Sequence, residues 1–318
     1  VNRNMTKCMK DKFEMYDKLP PELKIEIAQN LSTADLVDLA QASKYHLALF
    51  KPMVDVRKLL HHVVRGKHDA VQSMLKNDMS LIFKRSKVTD CSGRTFDNVS
   101  AFEYALWALD KHMWAEMIAC ISPNEEGREI FLQLIAQYNK VNRDGVTYRL
   151  NAKTVTEHHF DFKNTIIKEL QIQVDSINTP GVKNLDTINK QWREGVGGAQ
   201  KLLPMHVVDE YCSNEPFYPV PQFTSQPKSS KQFYNWTIEK VENWFSNDSK
   251  LGANFAIYKG PGERAGGMWC WGGAWNVFAD DLDAMKALCE LRTMDFINLK
   301  SQLEEQITLD NSQQVFQI

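Results

Sequence analysis

"MHVVDEYC" places His206 six residues before Cys212. An imidazole that takes a thiol's proton makes that thiol a nucleophile, so the pair is a candidate for covalent chemistry. The longer segment "QWREGVGGAQKLLPMHVVDEYC" adds Trp192, Arg193 and Asp209. If the chain is an enzyme, its site is expected between residues 190 and 280, around His206 and Cys212. Cys270, between Trp269 and Trp271, is a second candidate thiol. Free cysteines are more often buried packing residues than nucleophiles. Asp209 and Glu210 read as a solvated helix face.

Other patterns fall short of a site. "HH" at 158–159 stands near Glu157 and Asp161 but lacks the HExxH spacing that turns two imidazoles to one side of a helix. Gly260-x-Gly262-x-x-Ala265 follows the strand-like "NFAIY". A dinucleotide site needs a helix next, with its amides on the pyrophosphate. Here "GGMWCWGG" follows, and Pro261 removes a donor. The stretch reads as a hairpin or loop. There is no GK[ST] and no Glu-x-Glu pair of the kind arginine-modifying ADP-ribosyltransferases use. His61, His68 and His112 have no Cys or carboxylate set beside them, so they read as packing residues. Neither metal nor cofactor is expected.

The chain has 318 residues, 43% of them hydrophobic, a net charge of −2 and six scattered cysteines without CxxC spacing. It can bury a sizeable core, and reduced thiols fit best. Near-neutral charge gives nucleic acid no footing. No apolar run approaches the roughly 20 residues of a membrane span. The charged start lacks an apolar signal core.

The elements that must hold these residues are mainly helical. "PPELKIEIAQNL" sets Leu23, Ile27 and Leu31 on one stripe. "STADLVDLAQAS" restarts at Ser32 or Thr33 with Leu36, Leu39 and Ala40 as its apolar face, and "KYHLALFKP" is a third short helix stopped by Pro52. Residues 56–78 and 90–121 each read as helix, tight break, helix, the second after a polar turn at Gly93. Helices are expected at 128–141, at 154–177 as one or two, at 235–246 and at 280–307. The proline- and serine-rich 213–231 reads as a linker or long loop. The domains expected are 13–53, 54–122, 123–212, the segment 213–231, and a smaller Trp/Gly-rich region, 232–318, with a short β-hairpin and a long final helix. Trp236, Trp244, Trp269, Trp271 and Trp275 supply apolar area there.

"LPPELKIEIAQNLSTADLVDLAQASKYHLALFKP" resembles an F-box. Leu19-Pro20, Glu22-Leu23, Ile27, Leu31, Asp35-Leu36 and Leu39 carry the likeness, over about one tenth of the chain. A three-helix unit this short cannot bury all its apolar residues against itself. The resemblance implies docking through Leu19, Pro20, Leu23, Ile27, Leu31, Leu36 and Leu39 onto the Skp adaptor of a cullin–RING (SCF) ubiquitin ligase. "LLHHVVRGKHDAVQSMLKND" resembles an ankyrin unit, through Leu60-His61, Gly66, His68, Val71 and Met74-Leu75. Asp90, Gly93, Thr95, Phe102, Ala105, Ala108 and His112 are a looser second match, with "FDNV" inserted.

This combination resembles effectors that Legionella-type bacteria inject into host cytoplasm. Glu304-Glu305 before the tail Val315–Ile318 resembles a type IV translocation signal. The resemblance implies an adaptor without its own active site that presents an unidentified host protein. Trp269, Trp271 and Trp275 are the expected target-binding residues.

Overall fold

The computed structural model describes Tyr16, residues 18–270 and residues 277–314, with side chains to residue 308. The fold is mainly α. α1 (Pro21–Gln29), α2 (Thr33–Gln41), α3 (Lys44–Val63) and α4 (His68–Asn77) lead into a hairpin of β1 (Arg85–Thr89) and β2 (Thr95–Ser100). α5 (Ala101–Trp107), α6 (Lys111–Ala119) and α7 (Glu125–Asp144) follow, then β3 (Val146–Leu150) and β4 (Lys153–Glu157). A π-helical turn (Lys163–Ile167) enters α8 (Lys168–Asn178). α9 (Leu185–Lys190), a second π turn (Gln191–Val196), α10 (Gly197–Gln200) and α11 (Met205–Tyr211) complete the middle. β5 (Gln232–Asn235), β6 (Lys240–Asn243), β7 (Ala256–Tyr258) and β8 (Gly266–Met268) precede the long α12 (Val277–Gln314).

Two cores hold this together. Ala28, Leu36, Ala40 and Phe50 form a small one inside α1–α3. A continuous larger core runs from Val56 to Leu303 and includes residues of every expected module from 54 onward. α3 belongs to both: Phe50 sits in the first, and Val56, Leu59, Leu60 and Val63 in the second. It therefore does not stop at Pro52, which lies inside the helix. Packing on both sides offsets the lost amide bond, and the expected boundary at 53/54 falls mid-helix. Gly66, with φ +60, makes the tight turn into α4 that the sequence indicates.

The strands are where the sequence reading fails. A four-stranded antiparallel sheet in the order β1-β2-β3-β4 occupies residues expected to be loop and helix. "FDNV" is part of β2, and 153–157 is β4, so only 163–177 of the expected 154–177 helix is helical. Val and Thr alternate at 153–157, a period of two that favours a pleated strand. The expected helix at 235–246 is also absent. β5 and β6 form a hairpin there, turning through Glu239 at φ +54. The second sheet runs β6-β5-β8-β7, and β7–β8 form the hairpin read from the glycine pattern. Residues 213–231 are a packed loop, with Phe217 and Phe223 buried in the main core.

β3 and β4 are joined by Asn151 and Ala152, at φ +49 and +62. That two-residue turn needs the left-handed conformation twice. Asn tolerates it; alanine's Cβ makes it cost about 1 kcal/mol. Ala152→Gly is expected to raise stability by up to about 1 kcal/mol, read from the urea midpoint. A lower midpoint would contradict this account of the turn.

Candidate functional site

The α1–α3 unit presents the most distinctive surface. Pro20 and Pro21 start α1, and Ser32 caps α2 by accepting from the Asp35 amide at 3.1 Å. The stripe is rotated from the expected one. Lys24 and Ala28 face inward, while Leu23 and Ile27 are 45% and 44% exposed. Lys24 can be buried because its ammonium lies over the Tyr45 and Tyr16 rings, 4.9 and 5.7 Å from their centroids. Its stem packs like an aliphatic side chain.

Of the seven expected docking residues, Pro20, Leu23 and Ile27 point outward and Leu19 is half-buried. Leu36 is fully buried, and Leu31 and Leu39 pack against the small core. Leu36 is thus corrected from a docking residue to a core residue, and Leu31 and Leu39 are largely core. Tyr45 and Leu47, about half exposed on the first turn of α3, were missed. Two large apolar residues beside a capping serine were the available signal.

Arg57 fixes this unit to the body. Its guanidinium donates to the carbonyls of Leu31 at 2.7 Å and Gln29 at 2.8 Å. These acceptors lie at the C-terminal end of α1, where unpaired carbonyls gather negative charge. Arg57 is itself buried, and its Nε lies 3.4 Å from the Ser86 hydroxyl of β1.

At the other end, Trp269 is 53% exposed. Trp271 and Trp275 lie outside the described residues. The Trp269 carbonyl accepts from Arg193 at 3.2 Å, and the Trp192 indole donates to Met268 O at 3.0 Å. Trp236, also exposed, donates its amide to Gly267 O at 2.9 Å. Trp236 and Trp269 thus follow the C-terminal ends of β5 and β8, the two parallel central strands of the sheet. Trp244 is core.

His206 and Cys212 do not form a catalytic pair. They sit at opposite ends of α11. His206 Nε2 is 2.7 Å from the Ala108 carbonyl, and burial, reinforced by the Arg292 charge, pulls its pKa down to about 3. Burial pushes the Cys212 thiol up to about 12, the opposite of what a nucleophile needs. Cys270 is half-buried.

The histidine has a consequence for acid stability. Its folded pKa lies below the usual 6.5, so the unfolded chain binds the extra proton. Its contribution is complete above pH 6.5 and is lost as pH falls toward 3. His206→Gln should flatten stability against pH in that window by one proton's slope. An unchanged slope in acid-denaturation curves would contradict the assignment.

Asp209 and Glu210 are buried, not solvated. Burial raises their pKa values to about 6 and about 7. They belong to a polar seam that ties loop 213–231 to the body. Lys259 Nζ donates to Glu210 O at 2.6 Å, Ser213 O at 3.0 Å and Ser213 Oγ at 2.7 Å. The buried Asp281 carboxylate accepts from the Lys259 and Gly260 amides. Arg292 donates to Phe223 O at 2.9 Å and to His112 Nε2 at 3.0 Å, and meets Asp295 at 3.0 Å. With three acceptors on its ammonium, Lys259 is a structural cation.

No group of three or more His, Cys, Asp or Glu among the described residues could hold a metal ion. No helix among them is long and apolar enough to cross a membrane.

A family model described as the CBUA0006 C-terminal domain matches residues 165–303, which contain most of the seam and the second sheet. No solved structure matches the chain. Over 260 residues it is 36% identical to a Coxiella burnetii protein named "Uncharacterized protein CBUA0006", an alignment covering 76% of this chain and 73% of that protein. The chain belongs to the family of that Coxiella burnetii protein.

Proposed function

We propose that this protein is a substrate-recruiting adaptor. The α1–α3 unit docks on the Skp adaptor of a host cullin–RING ligase, and the remainder holds a host protein for ubiquitin transfer. The observation that carries the reading is the outward placement of Leu23 and Ile27 on a unit with its own small core. Such residues gain by entering a partner's groove, the way an amphipathic helix is anchored through residues spaced i, i+4. The rest of the chain then acts by proximity and needs no acid, base or nucleophile of its own. Trp269, with Trp236 at the same end of the sheet, is the proposed target-binding surface; exposed aromatic residues suit that role. The proposed working place is the host cytoplasm after secretion as an effector.

The test is to mix the full chain with purified Skp adaptor and follow co-elution by size-exclusion chromatography. A shifted complex peak at micromolar concentration is expected. Separate elution would end the adaptor reading.

A further inference from the structure

A cleft of about 500 Å³ lies where the α1–α3 unit meets the first sheet. Its charged lining is all positive: Arg57, Lys87 and Arg149, with no carboxylate. The neighbouring groove of about 380 Å³ is different, since Asp97, Glu103 and Asp144 sit there beside Lys140 and Arg149. A concave lining whose own charges are all positive favours an anion.

The sheet register explains how the cations converge. Thr89 pairs with Thr95, and Thr95 pairs with Arg149, so the three form a row across β1, β2 and β3. The two threonine hydroxyls touch at 2.9 Å. Lys87 is two residues along β1 from Thr89 and so shares its face. Lys87 and Arg149 therefore stand on either side of a hydroxyl floor, two strands across and two residues along, their backbones about 12 Å apart.

The three cations are committed to different degrees. Arg57 is spent on the α1 carbonyls and contributes charge only. Arg149 is bidentate to Asp97 at 2.8 and 2.9 Å, but both partners are half exposed. Exposed pairs of that kind exchange partners at little cost. The Lys87 ammonium has no ion pair or hydrogen bond among the described residues. The Asp35 carboxylate, not itself part of the lining, accepts from the hydroxyl of the lining Ser32 at 2.7 Å. The turn at Asn151 and Ala152 closes one wall in its left-handed conformation, and such local strain gathers at binding sites.

We propose that this cleft binds a phosphate ester, with Lys87 and Arg149 as its two charge contacts and the threonine hydroxyls beneath. Its volume suits a small organic phosphate or the headgroup of a phosphorylated lipid. The site is independent of the adaptor reading.

Titration calorimetry of the full chain with inositol trisphosphate tests it, beside flotation with phosphatidylcholine vesicles with and without phosphatidylinositol bisphosphate. Binding to the soluble compound alone assigns a free phosphate ester; binding to the doped vesicles as well assigns a headgroup. Lys87→Ala and Arg149→Ala should each weaken binding about tenfold, the effect of one charge-assisted contact. Asp97→Asn should tighten it by releasing Arg149, and Lys240→Ala on the second sheet should leave it unchanged. Affinity should fall as salt rises. Thermal melts establish that each variant is folded. Absence of binding in both arms, or Lys87→Ala and Arg149→Ala variants that bind like the parent, would overturn the proposal.

Discussion

Replacing Leu23 and Ile27 together by Asp is expected to weaken binding to the Skp adaptor by at least about 100-fold while the protein stays folded. Each side chain still exposes nearly half its surface, so its burial in a partner is worth about 1 kcal/mol. Two carboxylates placed in an apolar groove add several kcal/mol of desolvation cost, and 2.7 kcal/mol already makes a factor of about 100. The fold should tolerate the change. Neither residue belongs to the small core. Asp at 23, in the first turn of α1, suits the helix dipole, and Asp at 27, in its last turn, costs only about 0.5 kcal/mol against it. Leu36→Asp is the contrasting variant: it buries a charge among Ala28, Ala40 and Phe50 and should unfold the unit. Affinity by calorimetry and a thermal melt separate the two effects. Undiminished binding by the double variant would mean that this face does not dock.

Arg292→Met is expected to destabilise the protein by about 3–5 kcal/mol, the usual cost of breaking a buried ion pair from one side. The guanidinium has no exposed surface, and it serves Asp295, His112 and the Phe223 carbonyl, with Glu210 at 3.8 Å. Methionine fills the space but leaves the Phe223 carbonyl without its donor and the buried Glu210 without the Arg292 charge, while Asp295 keeps Lys111 at 3.0 Å. Loop 213–231 loses an anchor, so it should also become the first site of limited proteolysis. The urea midpoint measures the loss. A change below about 1 kcal/mol would show that the seam is not holding the loop.

The helices were legible because their apolar spacing survives in short windows. α7, α12 and the turn at Gly66 follow from local pattern alone. The first sheet was not legible for a local reason: its strands are five or six residues long and carry as much Thr, Lys and Arg as apolar surface. The "WTIEKVENW" stretch has apolar residues that fit either period, and pairing of β5 with β8 decides for a strand. The docking face was half legible. Periodicity picks out Leu23, Ile27 and Leu31, but the side that turns inward depends on Lys24 meeting Tyr45 from another helix. The polar seam was hidden because its partners are far apart in the chain. Lys259 reaches back to Ser213, Arg292 to Phe223 and His112, and no spacing rule connects them.

Hydrogen exchange of the full chain, with and without the purified Skp adaptor, tests the docking claim most directly. The account predicts new protection confined to residues 19–29 and 44–47, on α1 and the start of α3, with the second sheet and α12 unchanged. Protection concentrated instead around Trp236 and Trp269, or no new protection anywhere, would contradict it.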